Sequence, residues 1–228
     1  NIASPTHDGL FAAGHQGDVA MLAGSGTGAF ASAVTFDSGF LPSSLALGDV
    51  TGDGFLDIVV TNSAAVGEVG VMAGDGAGGF APAVTFGSGG SNPGSVALGD
   101  VTGDGNTDIV VTNFDSANVG VLAGNGAGGF APAVTFDAGG SPHDVALGAV
   151  TGDGFLDIVV ANASGGANIG VLAGDGAGHF AGPITYASGG TDAVSVALGD
   201  FSGPSALRTV ENQAATHVLA WQDVLDCI

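Results

Sequence analysis

The chain has 228 residues and 21.6 kDa, the size of one domain, with 44 Gly, 22 acidic residues and one basic residue, Arg208, for a formal net charge of -21. With no Lys/Arg patch to neutralise phosphates, nucleic-acid binding and attraction to anionic membrane surfaces are excluded as functions, while cationic partners, metal ions above all, remain. Forty-five percent hydrophobic residues argue for a folded chain, the single Cys227 rules out an internal disulfide, and no apolar run reaches the roughly 20 residues of a membrane span, so no membrane insertion is expected.

Taken in chain order, the sequence repeats itself about every 50 residues. Residues 8–36 read as the second to fourth strands of a first unit. The next unit contains four short apolar segments bounded by Gly, Asn or Asp: Ser44 to Leu47, Asp57 to Asn62, Glu68 to Ala73 and Phe80 to Phe86. Short connections make neighbours antiparallel, so each unit is predicted to be a four-stranded meander. Pro82 and Pro132 place the fourth strand at an outer edge, because proline cannot donate to a ladder inside a sheet. The first strand, built from small residues, belongs inside. The phrase Ala46 to Gly54 returns at Ala97 to Gly105 and Ala146 to Gly154, and in decayed form at Ala197 to Gly203. Repeated four-stranded sheets of this kind predict an all-β β-propeller of about four to five blades in one domain over 1–228, with units near 1–43, 44–94, 95–143, 144–193 and a degenerate 194–228. Val194 to Phe201 could complete the N-terminal blade and close a four-bladed ring. Thr209 to Asp223 could instead begin a fifth blade, Ala214 to Ile228 also reads as a short amphipathic helix, and the chain could be part of a larger ring.

Between the first two strands of a unit lies Asp49-x-Thr51-x-Asp53-Gly54-Phe55-x-Asp57. Oxygen side chains at alternate positions, a backbone carbonyl from Phe55 and a Gly bend suit a hard divalent cation, which takes six to eight oxygens. The second copy is complete: Asp100, Thr102, Asp104, the Asn106 carbonyl and Asp108. The third has Ala149 in place of the first acid and keeps Thr151, Asp153, the Phe155 carbonyl and Asp157, a partial site. The loop beginning at Asp200 lacks the second and third acids, and no metal is expected there. Calcium is therefore the expected cofactor, with two complete sites and one partial. The bland alternative is a set of Asp/Gly turns whose carboxylates cap their own backbone.

Leu98 to Gly105 followed by Asp108 to Asn113, and then a Gly-rich turn ending at Phe130, resembles the VCBS/FG-GAP repeat family, calcium-binding propeller repeats also found in integrin α-subunit head domains. The resemblance covers about residues 8–203. It implies a propeller with calcium in the loop joining the first two strands of a blade, and an extracellular setting, secreted or at the cell surface.

The metal loops and the Gly-rich hairpins repeat nearly unchanged, whereas the length changes fall in the loops at the opposite end of each unit. That variable face is the candidate ligand surface, with Phe40, Asn92, Phe114, His143, Asp144 and Asp192 as its candidate contacts. Such a surface suits a glycan or an extracellular protein and leaves room for a homo-oligomer. Asn62, Asn113, Asn162 and Asn212 end the second strand of their units, where an Asx turn accounts for them. The recurring Phe residues read as packing between units. The five His share no zinc spacing, and no nucleophile elbow, H-E-x-x-H or phosphate loop is present, so a non-catalytic module is expected. Lectin-like or adhesive binding is the leading expectation, a structural or assembly repeat of an extracellular coat or fibre the alternative, and a hydrolase a distant third.

Overall fold

The computed structural model describes residues 9–13, 17–63, 66–163, 168–199 and 217–219, and the regular structure among them is β throughout. Strands β1 (Gly9–Ala13), β2 (Asp18–Ala23) and β3 (Val34–Asp37) form a three-stranded antiparallel sheet, in line with a first unit read as strands two to four. Three four-stranded meanders follow: β4 (Pro42–Gly48) to β7 (Val84–Gly87), through β5 (Asp57–Asn62) and β6 (Glu68–Met72); β8 (Pro93–Gly99) to β11 (Val134–Asp137), through β9 (Asp108–Asn113) and β10 (Asn118–Leu122); and β12 (Pro142–Gly148) to β15 (Ile184–Ala187), through β13 (Asp157–Asn162) and β14 (Asn168–Leu172).

The second strand of each meander is buried at every position. Its continuous burial, with Ile-Val-Val at the centre, follows from a sheet covered on both faces, since successive side chains point to opposite sides. Ile58 and Val60 pack back onto Val19 of the first sheet, whereas Val59 packs forward with Val69 and Val71 onto Val96, Ile109 and Val111 of the next. Val110, Val119 and Val121 repeat the forward contact onto Val145, Ile158 and Val160. The core is thus a series of layers between consecutive sheets. Edge-to-face ring pairs seal the outer side of three layers, Phe36 with Phe80, Phe86 with Phe130 and Phe136 with Phe180, each at 5.2 Å between centroids. Burial of rings of this size is the largest apolar contribution available to such an interface.

The fourth strand is the outer edge, as expected, but shorter than predicted. Phe80 makes a single bridge to Gly74, and the ladder resumes only at Val84, after Pro82, whose missing N–H therefore costs no strand bond.

The asparagines that end the second strands are not Asx turns. Asn62, Asn113 and Asn162 are buried, and each Nδ2 donates to a carbonyl at the end of the preceding sheet: Ser38 at 2.9 Å, Ser88 at 3.0 Å and Ala138 at 2.9 Å. They staple one sheet to the next; Asn212 lies outside the described residues. At the C-terminal side, β16 (Ser195–Ala197) pairs in parallel with β17 (His217–Leu219). Among the described residues β16 does not pair with β1, so no closed ring is formed by that route. Of the readings open for the C-terminal side, the helix is not found at His217 to Leu219, which is strand. Its parallel pairing also departs from a fifth antiparallel meander. An edge of β16 has backbone groups to satisfy, and the pairing with β17 satisfies them.

Candidate functional site

The loop joining the first two strands is built from below by a buried carboxylate. Asp57, the first residue of β5, is fully buried; its Oδ2 accepts the N–H groups of Val50 (2.8 Å) and Thr51 (3.0 Å), and its Oδ1 accepts that of Gly74 (2.9 Å). Asp108 repeats the arrangement with Val101 (2.9 Å), Thr102 (3.0 Å) and Gly124 (2.8 Å). Asp157 accepts from Thr151 (2.8 Å) and Gly174 (3.0 Å). These aspartates, expected only as the last metal ligand of each loop, tie the loop to the third strand of the same sheet. Each carboxylate oxygen has room for about two bonds, so Asp57 Oδ1 and Asp108 Oδ1 keep one acceptor position toward the loop.

The first carboxylate folds the loop over itself. Asp49 accepts from Gly52 (2.6 Å) and Gly54 (2.8 Å), and Asp100 from Gly103 (2.7 Å), Asp104 (3.2 Å) and Gly105 (2.9 Å). Both Gly54 and Gly105 hold positive φ, 87° and 85°, where a side chain would be strained. Asp53 Oδ1 accepts from the Phe55 N–H at 2.9 Å, and Asp104 Oδ1 from the Asn106 N–H at 2.8 Å. The Asn106 backbone bond, helped by its side chain, holds the Asp104 carboxyl below the usual carboxylate range, which keeps it ionised into more acid solution.

The turn alternative is thus correct as far as the carboxylates go: they do cap their own backbone. It leaves the hydroxyls unexplained. Thr51 Oγ1 and Thr102 Oγ1 are buried and make no hydrogen bond of full geometry, although the Thr102 hydroxyl stands near enough to Asp104 to help hold its carboxyl acidic. A buried hydroxyl without a partner is costly and calls for a missing neighbour. In the third loop, where Ala149 removes the arch, the Thr151 hydroxyl falls back on Asp157 Oδ1 at 3.3 Å. Among the described residues no three Asp, Glu, His or Cys side chains converge closely enough to hold a metal by themselves. The oxygen set of the two complete loops, with orphan hydroxyls among the carboxylates, fits a hard cation; the third loop, whose hydroxyl is already paired, fits it less well.

At the opposite end, three of the candidate ligand residues come together. A bulge between Pro142 and Asp144 leaves His143 unpaired and exposed, and its ring meets Phe114 edge to face at 6.1 Å. The Phe114 N–H donates to the Asn92 carbonyl at 3.0 Å, and Asn92 itself takes φ 55°, a conformation asparagine tolerates. Asp144 does different work. It accepts Ser95 Oγ (2.7 Å) from the sheet before and Ser195 Oγ (2.9 Å) from the strand after, joining three units through their first strands. Phe40, 68% exposed, and Asp192, also exposed, are not joined to the Phe114 group by any hydrogen bond or ring contact among the described residues. The serines around Asp144 were missed in the sequence; their signal was the recurrence of a small polar residue at position 44, 95 and 195.

FG-GAP-like repeats are matched over residues 7–60, 100–160 and 150–203. No curated protein matches. Among solved structures, a chain of the Photorhabdus luminescens Tc holotoxin pore is similar at 18% identity with a TM-score of 0.40, over 82% of this chain and 10% of that one, so the present chain spans about a tenth of its length. With well over half of its residues inside the matched repeats, the chain belongs to the FG-GAP-like repeat family.

Proposed function

We propose that this structural repeat module is stabilised by calcium in its two complete loops and serves as a non-catalytic, lectin-like binding unit of a secreted or cell-surface protein. The observation that carries the calcium reading is the pair of buried hydroxyls without a full hydrogen bond, Thr51 Oγ1 and Thr102 Oγ1, set among carboxylates in two copies of one loop. The first ion would draw on Asp49, Thr51, Asp53, the Phe55 carbonyl and the remaining acceptor position of Asp57. The second would draw on Asp100, Thr102, Asp104, the Asn106 carbonyl and Asp108. Calcium supplies positive charge that relieves repulsion among these acids. The ligand reading rests on Phe114 and His143 meeting beside Asn92 on the variable face, an aromatic edge with hydrogen-bonding groups that suits a sugar.

Equilibrium dialysis against labelled calcium should find one ion per complete loop, and Asp53→Ala and Asp104→Ala should each remove one. A chain that takes up no calcium would rule the metal out. Glycan-array binding by the calcium-loaded chain, abolished in a Phe114→Ala/His143→Ala variant that keeps its melting temperature, supports the lectin reading. A blank array rules that reading out and leaves a structural repeat.

A further inference from the structure

Two of the Gly-rich hairpins lie between the acidic loops of consecutive units. The hairpin 125–129 belongs to the sheet of β8 to β11, yet its Gly128 N–H donates to the Val50 carbonyl of the preceding loop at 3.2 Å. The hairpin 175–179 repeats this, with Gly178 donating to the Val101 carbonyl at 3.1 Å. A Cβ on Gly52 would run into the Gly126 carbonyl, and one on Gly103 into the Gly176 carbonyl, so backbone meets backbone at both junctions. On its other side the hairpin touches its own unit's loop: a Cβ on Gly126 would strike the Asn106 side chain, and one on Gly176 the Phe155 ring. Loop 49–57, hairpin 125–129, loop 100–108, hairpin 175–179 and loop 149–157 therefore form one unbroken string along that end of the molecule. The residues at the contact are those that matter for a cation: a Cβ added to Gly128 would stand 3.1 Å from Cγ2 of Thr51, and one on Gly178 3.0 Å from Cγ2 of Thr102. These are the same two threonines whose hydroxyls are buried without a full hydrogen bond.

From this we infer that Gly128 and Gly178 are positioning residues for the calcium loop of the preceding unit, each hairpin acting as the floor that aims that loop's threonine hydroxyl at the ion. The inference rests on the calcium reading above. A loop that must dock on its neighbour to present all its oxygens binds with an affinity that includes the docking free energy, and metal binding in turn strengthens the docking.

The structure holds its own control. Gly28, at the matching place of the first hairpin, has φ 87° against 74° for Gly128, but a Cβ there would meet nothing within 4 Å. Gly28→Ala and Gly128→Ala thus share the backbone strain and differ in the contact. Site-resolved calcium titration of the whole chain, read from the amide signals of Gly52 and Gly54 for one loop and Gly103 and Gly105 for the other, tests the idea. Gly128→Ala should raise the half-saturation concentration of loop 49–57 about fivefold over Gly28→Ala. Loop 100–108 should change much less. Adding Thr51→Ser, which removes the clashing methyl and keeps the hydroxyl, should restore most of the affinity. Equal titrations for Gly128→Ala and Gly28→Ala, equal shifts at both loops, or no rescue by Thr51→Ser would overturn the inference while calcium binding stood. If the unaltered chain shows no calcium response, the metal reading falls and this inference falls with it.

Discussion

Asp108→Ala is expected to destabilise the chain by about 3–5 kcal/mol even in the presence of a chelator, because it strands three backbone N–H groups at once, two of them buried. The donors are Val101, Thr102 and Gly124, the last of them 16 residues away, just past the adjacent strand β10. At this chain length such a loss corresponds to a melting temperature lower by on the order of 10 °C. The substitution separates two roles that the loop pattern merges. If Asp108 were only a metal ligand, its removal would matter only when metal is present, as for the exposed Asp104. The check is denaturant unfolding with metal chelated, run beside Asp104→Ala. Amide exchange at Val101, Thr102 and Gly124 should accelerate in the Asp108 variant alone. Equal stability of the two variants without metal would refute the clamp. Asp108→Asn should lose less than the Ala change, since the amide oxygen can still take two donors while its NH2 faces the third.

The repeat made the strands legible. The second strand is found at Asp57–Asn62, as expected, and the third ends within a residue of its expected limit. Local alternation and turn residues suffice for that, because each strand is bounded by its own Gly, Asn or Asp. The fourth strand is shorter than its sequence suggests, because Phe80 makes only a bridge and Pro82 breaks the ladder between that bridge and the strand proper. Long-range partners were less accessible. Nothing near Asn62 in the sequence indicates that its amide crosses to the Ser38 carbonyl, 24 residues back, and a local Asx turn is the natural reading of the residue type. Asp144 illustrates the same gap. Its type suggests a ligand contact, but the carboxylate answers two serines about 50 residues away on either side, and only the stacking of first strands brings them there. The parallel pairing of β16 with β17 is of this kind too, since it depends on which edge is free and not on the three residues that fill it. Where the sequence read most directly, in the metal loops, the acids were located correctly, but their division of labour was hidden. The first and last carboxylates hold backbone N–H groups as well as facing the loop, and the threonine, the least conspicuous member of the motif, has the oxygen left without a partner.

That division sets the second large expectation: calcium removal should lower the melting temperature by about 10–20 °C. Each site filled at about a hundred times its dissociation constant contributes about 2.7 kcal/mol, and two sites contribute about twice that, at 2–4 °C per kcal/mol for a chain of this size. The sign follows from the loops. Without the ion, Asp49, Asp53 and Asp57 repel one another across a short turn, the Thr51 hydroxyl stays unpaired, and nothing offsets either cost. Asp53→Ala combined with Asp104→Ala should remove most of the response to chelator. Both residues are exposed, and their hydrogen bonds are local, to Phe55 for Asp53 and to Asn106 and Thr102 for Asp104. Their loss should therefore cost little in the metal-free chain, and the variant should melt near the chelated parent with or without calcium. Asp153→Ala in the third loop should change the calcium response far less, because Ala149 has already removed the arch there and the Thr151 hydroxyl is paired. A melting curve that does not move on chelation would contradict the calcium reading. One that moves equally in the double variant would put the ion elsewhere in the chain. The comparison between loops is the sharper half of this experiment: three loops at the same place in three consecutive sheets differ by one carboxylate, so a graded response across them can be assigned to the oxygens and not to the fold that carries them.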